Sequence, residues 1–290
     1  MTASEAAGSG PPQVGQPATP QAPIDGSGTD RARCVLAPNP GLMTLDGTNT
    51  WLVAEPGSAA AVVIDPGPDD DGHLRRVVEI AKQAGQRIAA IVLTHGHADH
   101  SGGARTLASL TGAGVRAVDP GYRLGSEGLP AGAVLTDGGS EIEVLATPGH
   151  TADSVSLYLR ADQAVLTGDT VLGRGTAVIA DDGSLADYLG SLERLRALAD
   201  AADLRTLLPG HGPLLTSPRA VLDFYITHRA ERLAEIRAAL AAGDRTKAEI
   251  VARVYADVDR ALWPFAEISV QAQLAYLADR GELPPGMSSA

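Results

Sequence analysis

The sequence predicts an α/β domain followed by a smaller helical domain. Short runs rich in aliphatic and β-branched residues alternate with segments whose apolar residues recur at helical spacing. Beyond residue 217 the strand pattern stops and long helical patterns take over. The expected units are a disordered tail (1–32), an α/β domain (33–216) and a helical, winged-helix-like domain (217–290).

The strand predictions rest on apolar runs that end at turn-forming residues. In chain order these runs are NTWLVAE, AAVVIDPG, RIAAIVLTH, VRAV, EIEVLATPG, SVSLYLR, AVLTGD and RTLLPGHG. Cys34 is expected just before the first strand, as an ordinary small apolar residue. Because several runs are followed directly by histidine or aspartate, the strand ends are the places to look for chemistry.

The helix predictions rest on amphipathic spacing and on terminal signals. The α/β part contains the helical segments DGHLRRVVEIAKQAG, SGGARTLASLTG and SLADYLGSLERLRALADAA. The C-terminal part contains SPRAVLDFYITHRAERLAEIRAALAAG, RTKAEIVARVYADV and FAEISVQAQLAYLADRGEL. In the helical segment DGHLRRVVEIAKQAG of the α/β part, His73 is expected to face solvent.

Composition restricts the functional classes. The chain has 290 residues and a net charge of −12, with 3 % aromatic residues, which disfavours nonspecific coating of nucleic acid. Residues from Ser217 onward are nearly balanced in charge, so contact with a polyanion is expected there first. The single cysteine excludes an internal disulfide, and the first thirty residues lack the basic and apolar regions of a secretory signal. With no run long enough to span a bilayer, we expect a cytoplasmic protein.

The segment LTHGHADHSGG (Leu93–Gly103) holds four potential metal ligands within six positions: His95, His97, Asp99 and His100. Histidine and carboxylate side chains suit zinc and similar divalent ions. Two residues apart in a turn, His95 and His97 can project to one side. Asp99 and His100 enter the following helix and point to a second place. One loop thus supplies half of each of two sites, and the remaining ligands must come from elsewhere.

Three later turns supply such partners. His150 follows a strand in ATPGHT, Asp169 follows another in LTGDT, and His211 follows a third in LPGHGP. The sequence therefore predicts two divalent ions with an open position for water. We expect zinc, although manganese and iron accept the same ligands. The expected assignment is His95, His97 and His150 on one ion, Asp99, His100 and His211 on the other, with Asp169 bridging; Asp99 and Asp169 are the expected catalytic residues.

The motif THGHADH with downstream PGHT, GDT and PGHG resembles that of the metallo-β-lactamase-fold hydrolases. The resemblance spans about Pro38 to Pro213. It implies an αββα four-layer sandwich with the metals at one edge of two packed sheets. It also implies that Asp65, in IDPG, orients the ligand loop without binding metal itself.

A narrower resemblance lies in NPGLMTLDGTNTWLV, LGRGTAVI and YITHRAER, which are similar to the β-lactamase-like-protein-2 branch. That branch carries a C-terminal winged-helix-like extension and includes a single-strand-selective endoribonuclease. Several residues in these segments have two readings. Thr48 and Asn49 either form a turn or approach the metal cleft, and Arg174 is either part of a flexible connection or an anion contact. His228 and Arg229 are either an interior polar residue and a surface charge, or substrate contacts.

The predicted function is metal-dependent hydrolysis by a metal-bridging hydroxide, first of all on a phosphodiester such as single-stranded RNA. A thioester or carboxylic ester hydrolase resembling glyoxalase II is the alternative, and a nucleic-acid-binding or partner-binding module with a vestigial site is the second. A β-lactamase is disfavoured because many of those enzymes use a cysteine at the second metal, whereas this chain has Asp169 and His100. No oligomeric state is predicted.

Overall fold

A computed structural model describes residues 23–125, 128–180 and 182–287. Most of the expected disordered tail, residues 1–22, lies outside these ranges. For residues 23–31 the expectation of disorder is wrong, because charged side chains tie this segment to the domain. The Leu36 amide donates to Asp25 (2.9 Å), and Arg31 pairs with Glu55 and Asp162 at 2.7 and 2.6 Å.

The first sheet has five strands in the spatial order β1-β2-β3-β4-β5. These are β1 (Ala32–Leu36), β2 (Asn49–Val53), β3 (Ala60–Ile64), β4 (Arg87–Val92) and β5 (Gly114–Arg116). Strands β3, β4 and β5 are parallel, so helices must cross between them. Those helices are α1 (Asp71–Gln83), α2 (Ala98–Ser101) and α3 (Ala104–Thr111). Cys34 lies inside β1 and not before the first strand.

The second sheet has six strands in the order β11-β10-β9-β8-β7-β6. They are β6 (Val134–Leu135), β7 (Ile142–Ala146), β8 (Val155–Leu159), β9 (Ala164–Gly168), β10 (Thr206–Pro209) and β11 (Leu215–Thr216). Strands β9 and β10 are parallel and are connected through α4 (Leu185–Ala201). The other neighbouring pairs are antiparallel.

The two sheets pack face to face, with helices on both outer faces. Trp51 and Val62 of the first sheet share one buried core with Leu157 and Leu166 of the second. The opposite face of the first sheet packs on α1 and α3, and that of the second sheet packs on α4. Burial of apolar surface in three such layers is the main source of stability. The predicted αββα sandwich is confirmed.

The C-terminal part consists of α5 (Pro218–Ala241), α6 (Lys247–Val254) and α7 (Trp263–Asp279). Helix α6 starts with a capping box in which Thr246 and Glu249 each accept a hydrogen bond from the other's backbone amide. Tyr225 of α5 and Leu274 of α7 are buried in the same core as α4. The C-terminal helices therefore continue the outer layer of the second sheet. The domain boundary at 216/217 falls between β11 and α5 and stays a prediction.

His73 does not face solvent as expected. It is 3 % exposed, and its Nε2 lies 2.9 Å from the Thr50 hydroxyl. Burial lowers the pKa of His73 to about 4, so the ring is neutral at pH 7. The expectation failed because the apolar stripe of α1 passes beside this position, with Leu74 and Val77 against the sheet. No helix in the described ranges is long and apolar enough to cross a bilayer.

Candidate metal centre

Seven side chains converge at one edge of the two sheets. The segment after β4 carries His95 and His97, and α2 carries Asp99 and His100. The remaining three follow β7, β9 and β10, respectively: His150, Asp169 and His211. A strand end fixes the position of the backbone, while the following turn exposes one side chain. The structure thus brings together all seven residues that the sequence singled out.

The first ligand group consists of His95, His97 and His150. The Nδ1 atom of His97 lies 3.1 Å from Nε2 of His95 and 3.1 Å from Nε2 of His150. Ligand atoms bound to one tetrahedral zinc at about 2.0–2.1 Å are separated by roughly this distance. The three nitrogens can therefore hold one ion. His97 is the most accessible of them, with 38 % of its side chain exposed.

The second ligand group consists of Asp99, His100 and His211. The Nε2 atoms of His100 and His211 are 3.1 Å apart. Oδ2 of Asp99 lies 3.2 Å from Nε2 of His211 and 3.5 Å from Nε2 of His100. This group can hold a second ion, and it contributes a carboxylate where the first group has only imidazoles.

Asp169 lies between the two groups. Its Oδ2 is 3.7 Å from Nε2 of His150 in the first group and 3.4 Å from Nε2 of His211 in the second. Its Oδ1 is buried and makes no hydrogen bond among the described residues. A buried carboxylate oxygen without a partner is costly, and a cation would supply the missing interaction. The donor set and this oxygen both fit a pair of divalent ions.

The second nitrogen of most of these rings has a partner that fixes the ring orientation. His150 Nδ1 donates to the Val178 carbonyl (2.7 Å), and His211 Nδ1 donates to the Gly47 carbonyl (3.1 Å). His100 Nδ1 lies 2.9 Å from Oδ2 of Asp65. Such outer partners are typical of metal-binding histidines.

Asp65 is where the resemblance placed it, beside the ligand loop. It accepts hydrogen bonds from the Thr94 amide (2.7 Å) and the Thr94 hydroxyl (2.6 Å). It also contacts His100 of the second group, but it is not itself a member of either ligand group. Asp65 therefore orients His100 and fixes the start of the loop that carries His95.

The two groups differ in their protonation. Burial lowers the pKa of His95 and of His150, so these rings favour the neutral form. Burial also opposes charge on His100, but the carboxylates of Asp169 and Asp65 outweigh it and raise its pKa well above the usual value. In the same way Asp169 and Asp99 raise the pKa of His211 to about 9 against the effect of burial.

Gly210 shows how little space surrounds the second group. A Cβ atom at this position would lie 2.5 Å from Oδ1 of Asp169 and 2.7 Å from Cε1 of His100. Both distances are far below van der Waals contact, so only glycine fits before His211. The glycine is required here by the close approach of the ligands.

A cavity of 410 Å³ opens beside Asp169 and His150 and extends to the C-terminal helices. Its walls are mainly apolar and come from both domains. The lining includes Leu42, Met43, Leu45, Leu172, Val178, Tyr255, Val258, Leu262 and Phe265. The cavity therefore adjoins the candidate metal centre at Asp169 and His150.

Of the five expected substrate contacts, Thr48 and Asn49 do not reach the cavity. Both are 0 % exposed. The Asn49 amide donates to the carbonyls of Pro209 (2.9 Å) and Gly212 (2.8 Å), on either side of His211. Thr48 and Asn49 therefore lie beside the metal cleft and hold the loop that carries His211, and with both side chains buried a direct substrate contact has no support.

Arg174 and His228 do line the cavity. The Arg174 guanidinium is paired with Asp46, so it is not a free anion site. Burial, with help from Arg229 and Arg232, lowers the pKa of His228 to about 4, and its ring stacks on Phe224. Both residues thus lie in the cavity wall, His228 as a neutral group, and their role as substrate contacts stays a prediction.

Arg229 is neither a surface charge nor a cavity residue. It is 5 % exposed, donates to the Ala177 carbonyl and stacks over the Tyr188 ring at 4.8 Å. This burial could not be predicted from residue type, because arginine side chains are usually exposed. The tyrosines that contact the same region, Tyr188 and Tyr225, were not predicted as site residues either.

Comparison with known proteins agrees with this architecture. The metallo-beta-lactamase superfamily profile matches residues 43–211, and the beta-lactamase associated winged helix domain profile matches residues 246–282. A beta-lactamase-like protein 2 homolog from Caenorhabditis elegans is 32 % identical over 244 residues, which is 79 % of this chain and 78 % of that protein. An atrochrysone carboxyl ACP thioesterase from Aspergillus fumigatus is 30 % identical over 255 residues, covering 80 % and 77 % of the two chains.

Among solved structures, a beta-lactamase domain protein from Burkholderia ambifaria superposes with a TM-score of 0.75. The alignment covers 90 % of this chain and 91 % of that chain at 23 % identity, so it supports the fold alone. The chain belongs to the metallo-β-lactamase superfamily. Within it, the winged helix domain follows the catalytic domain, and the protein is a metal-dependent hydrolase.

Proposed function

We propose that this hydrolase uses two divalent ions, zinc in the first instance, to cleave a thioester or carboxylic ester that carries an apolar acyl group. The observation that supports the substrate class is the apolar cavity beside Asp169 and His150. Two such ions, when bound, supply a water nucleophile that is active near neutral pH and polarise the bond under attack.

Asp99 and Asp169 have different roles in the proposed reaction. Asp99 is 30 % exposed at its side chain and is the most accessible residue of the second group. Burial would raise the pKa of Asp99, but the His211 hydrogen bond and the nearby His100 outweigh it and lower the pKa. Asp99 is therefore a carboxylate at neutral pH, able to accept a hydrogen bond from the attacking water. Asp169 keeps the two ligand groups together.

The cavity lining favours an apolar substrate part. Tyr255, Leu262 and Phe265 come from the C-terminal domain, and Leu42 and Met43 come from the loop before β2. Leu42 and Met43 are 65 % and 45 % exposed, which is unusual for large apolar side chains without a partner. An acyl chain that covers them would gain hydrophobic free energy.

The charges in the same cavity disfavour a polyanion. Arg174 is paired with Asp46 and Arg232 with Glu235, while His228 is neutral at pH 7. Phosphate contacts by free lysine or arginine dominate the affinity for nucleic acids. The phosphodiester substrate favoured by the sequence thus has less support from this site than the ester alternative.

A phosphodiester such as single-stranded RNA remains the second candidate. The observation in its favour is the winged helix domain, matched over residues 246–282, together with the similarity to a beta-lactamase-like protein 2 homolog. The relative named as an ACP thioesterase is the corresponding support for the ester reading. The two candidates need different recognition, so one assay panel separates them.

The test compares kcat/KM of the zinc-loaded protein on acetyl, butyryl and octanoyl thioesters, S-lactoylglutathione, single-stranded RNA, bis-(p-nitrophenyl) phosphate and a chromogenic cephalosporin. We expect thioester hydrolysis to dominate and to rise with acyl length, by up to about fourfold for each fully buried methylene. Phe265→Ala should flatten this rise, whereas Leu110→Ala, at an exposed position on α3, should not. Faster cleavage of RNA, or no dependence on acyl length, would overturn the ester proposal.

A further inference from the structure

Side chains of two helices make four of the hydrogen bonds that hold the backbone of the segment after the ligand Asp169. This 170–178 segment has no regular secondary structure, yet it leads from one ligand to the carbonyl that orients another. At its start is Asp169, and at its end the Val178 carbonyl accepts from His150 Nδ1 at 2.7 Å. Any shift of the segment therefore moves a carboxylate ligand and an imidazole ligand together.

Helix α5 supplies two of the side chains that hold this segment. The Tyr225 hydroxyl accepts from the Leu172 amide (2.9 Å) and lies 2.9 Å from the Gly175 carbonyl, to which it can donate. One turn further along α5, Arg229 donates to the Ala177 carbonyl. Both side chains are almost fully buried, at 2 % and 5 % exposure, so water does not compete for these bonds.

Helix α4 completes the arrangement through Tyr188. Its hydroxyl donates to the Thr170 carbonyl at 2.7 Å, directly after Asp169. The Arg229 guanidinium stacks over the Tyr188 ring, so the α4 and α5 contacts support each other. Between them, the three side chains bind the backbone at residues 170, 172, 175 and 177.

We propose that Tyr225 and Arg229 are positioning residues for metal binding, acting on Asp169 and His150 through the 170–178 segment. Helix α5 is thus part of the machinery that shapes the metal centre, although none of its side chains reaches it. The inference rests on the proposed role of the seven ligands. It does not depend on which substrate is cleaved, because its readout is metal binding.

The experiment uses the full-length protein and Zn²⁺ as the probe. Tyr225→Phe removes the hydroxyl and keeps the ring, and Arg229→Met removes the donors and keeps the apolar stem. Tyr276→Phe on α7 and Arg237→Met, an exposed ion-pair residue of α5, are the matched controls. Zn²⁺ affinity is measured by competition with a chromophoric chelator, and the absorption spectrum of the Co²⁺-substituted protein reports ligand geometry.

We expect the two test variants to lose Zn²⁺ affinity by about 10–100-fold, as for other partners that orient metal ligands, and to change the Co²⁺ spectrum. The controls should do neither. Arg229→Lys keeps a donor and should recover part of the loss. Thermal unfolding is followed in parallel, and if Arg229→Met does not fold, Tyr225→Phe decides. Wild-type Zn²⁺ affinity and an unchanged Co²⁺ spectrum in a folded test variant would overturn the proposal, even if that variant unfolds at a lower temperature.

Discussion

The two ligand groups lie side by side but are built differently. The first group has three imidazoles, one of them, His97, with 38 % of its side chain exposed. In the second group His100 and His211 are 0 % and 1 % exposed at their side chains, and Asp99 adds a carboxylate. Asp65 and Asp169 add further negative charge around His100. The first group therefore has one solvent-accessible imidazole and no carboxylate, whereas the second has two fully buried imidazoles and one partly exposed carboxylate.

This difference predicts different behaviour toward metal and protons. A site made only of imidazoles, one of them accessible, exchanges an ion readily, whereas buried imidazoles surrounded by carboxylates hold an ion more tightly once their protons have left. Asp169 couples the two because its Oδ2 lies within 3.7 Å of a nitrogen in each group.

Replacing Asp169 should have the largest effect, because it removes the link between the groups. We expect Asp169→Ala to lower kcat/KM by on the order of 10⁴-fold, as for loss of a residue that acts as a unit with its neighbours. Metal analysis should show fewer than two Zn²⁺ per chain. Asp153→Ala, on the loop after His150, is the control. Retention of both ions and of activity would show that the groups work independently.

The two groups should respond differently when a neighbouring carboxylate that is not itself a ligand is replaced. Asp65 contacts His100 at 2.9 Å and is buried, whereas Asp182 lies 3.9 Å from His97 Nε2 with 57 % of its side chain exposed. We expect Asp65→Asn to weaken Zn²⁺ binding by about 10–100-fold. Asp182→Asn should change it by less than a few-fold, since exposed pairs contribute little. Equal losses of Zn²⁺ affinity in the two variants, measured by chelator competition, would contradict this prediction.

Acid should weaken the second group before the first. Below pH 9 the metal-free His211 carries a proton, because nearby carboxylates raise its pKa to about 9. Zn²⁺ must displace that proton and the one that His100 holds, so the affinity of the second group should fall by at least about tenfold for each pH unit on lowering the pH from 8 to 6. Burial lowers the pKa of His95 and His150, so these two rings should add little to the pH dependence of the first group. If calorimetric titrations show the same pH dependence of Zn²⁺ affinity at both groups, this prediction is wrong.

The ligand residues and most of the helices could be predicted because their signals are local. A histidine or aspartate directly after an apolar run identifies a strand-end ligand, as for His150, Asp169 and His211. Amphipathic spacing likewise predicted α4, and α5 was predicted by the proline at its start and the glycine past its end. The two-residue strands β6 and β11 were missed because two residues cannot display a period, and β1 was missed as well.

The supporting residues could not be predicted because their roles depend on tertiary contacts. His73 is buried by the sheet against which α1 packs. Arg229 can be buried because its guanidinium donates a hydrogen bond to a backbone carbonyl and stacks over a tyrosine ring. Thr48 and Asn49 contact a loop about 160 residues away in the chain, which spacing alone cannot reveal. Ligand types are visible in a sequence, whereas the partners that orient the ligands are not.

The reactivity of the single cysteine, Cys34, can report on the loop that carries His211. Burial raises the pKa of the Cys34 thiol to about 12, so it resists alkylation in the closed protein. Its Sγ contacts Oδ1 of Asn49 at 3.5 Å, and the amide of that asparagine holds the loop of His211. The rate at which a thiol reagent labels Cys34 therefore reports how often β1 separates from β2. A slower labelling rate with Zn²⁺ than with a chelator would measure how much the ions close the structure, without any substrate.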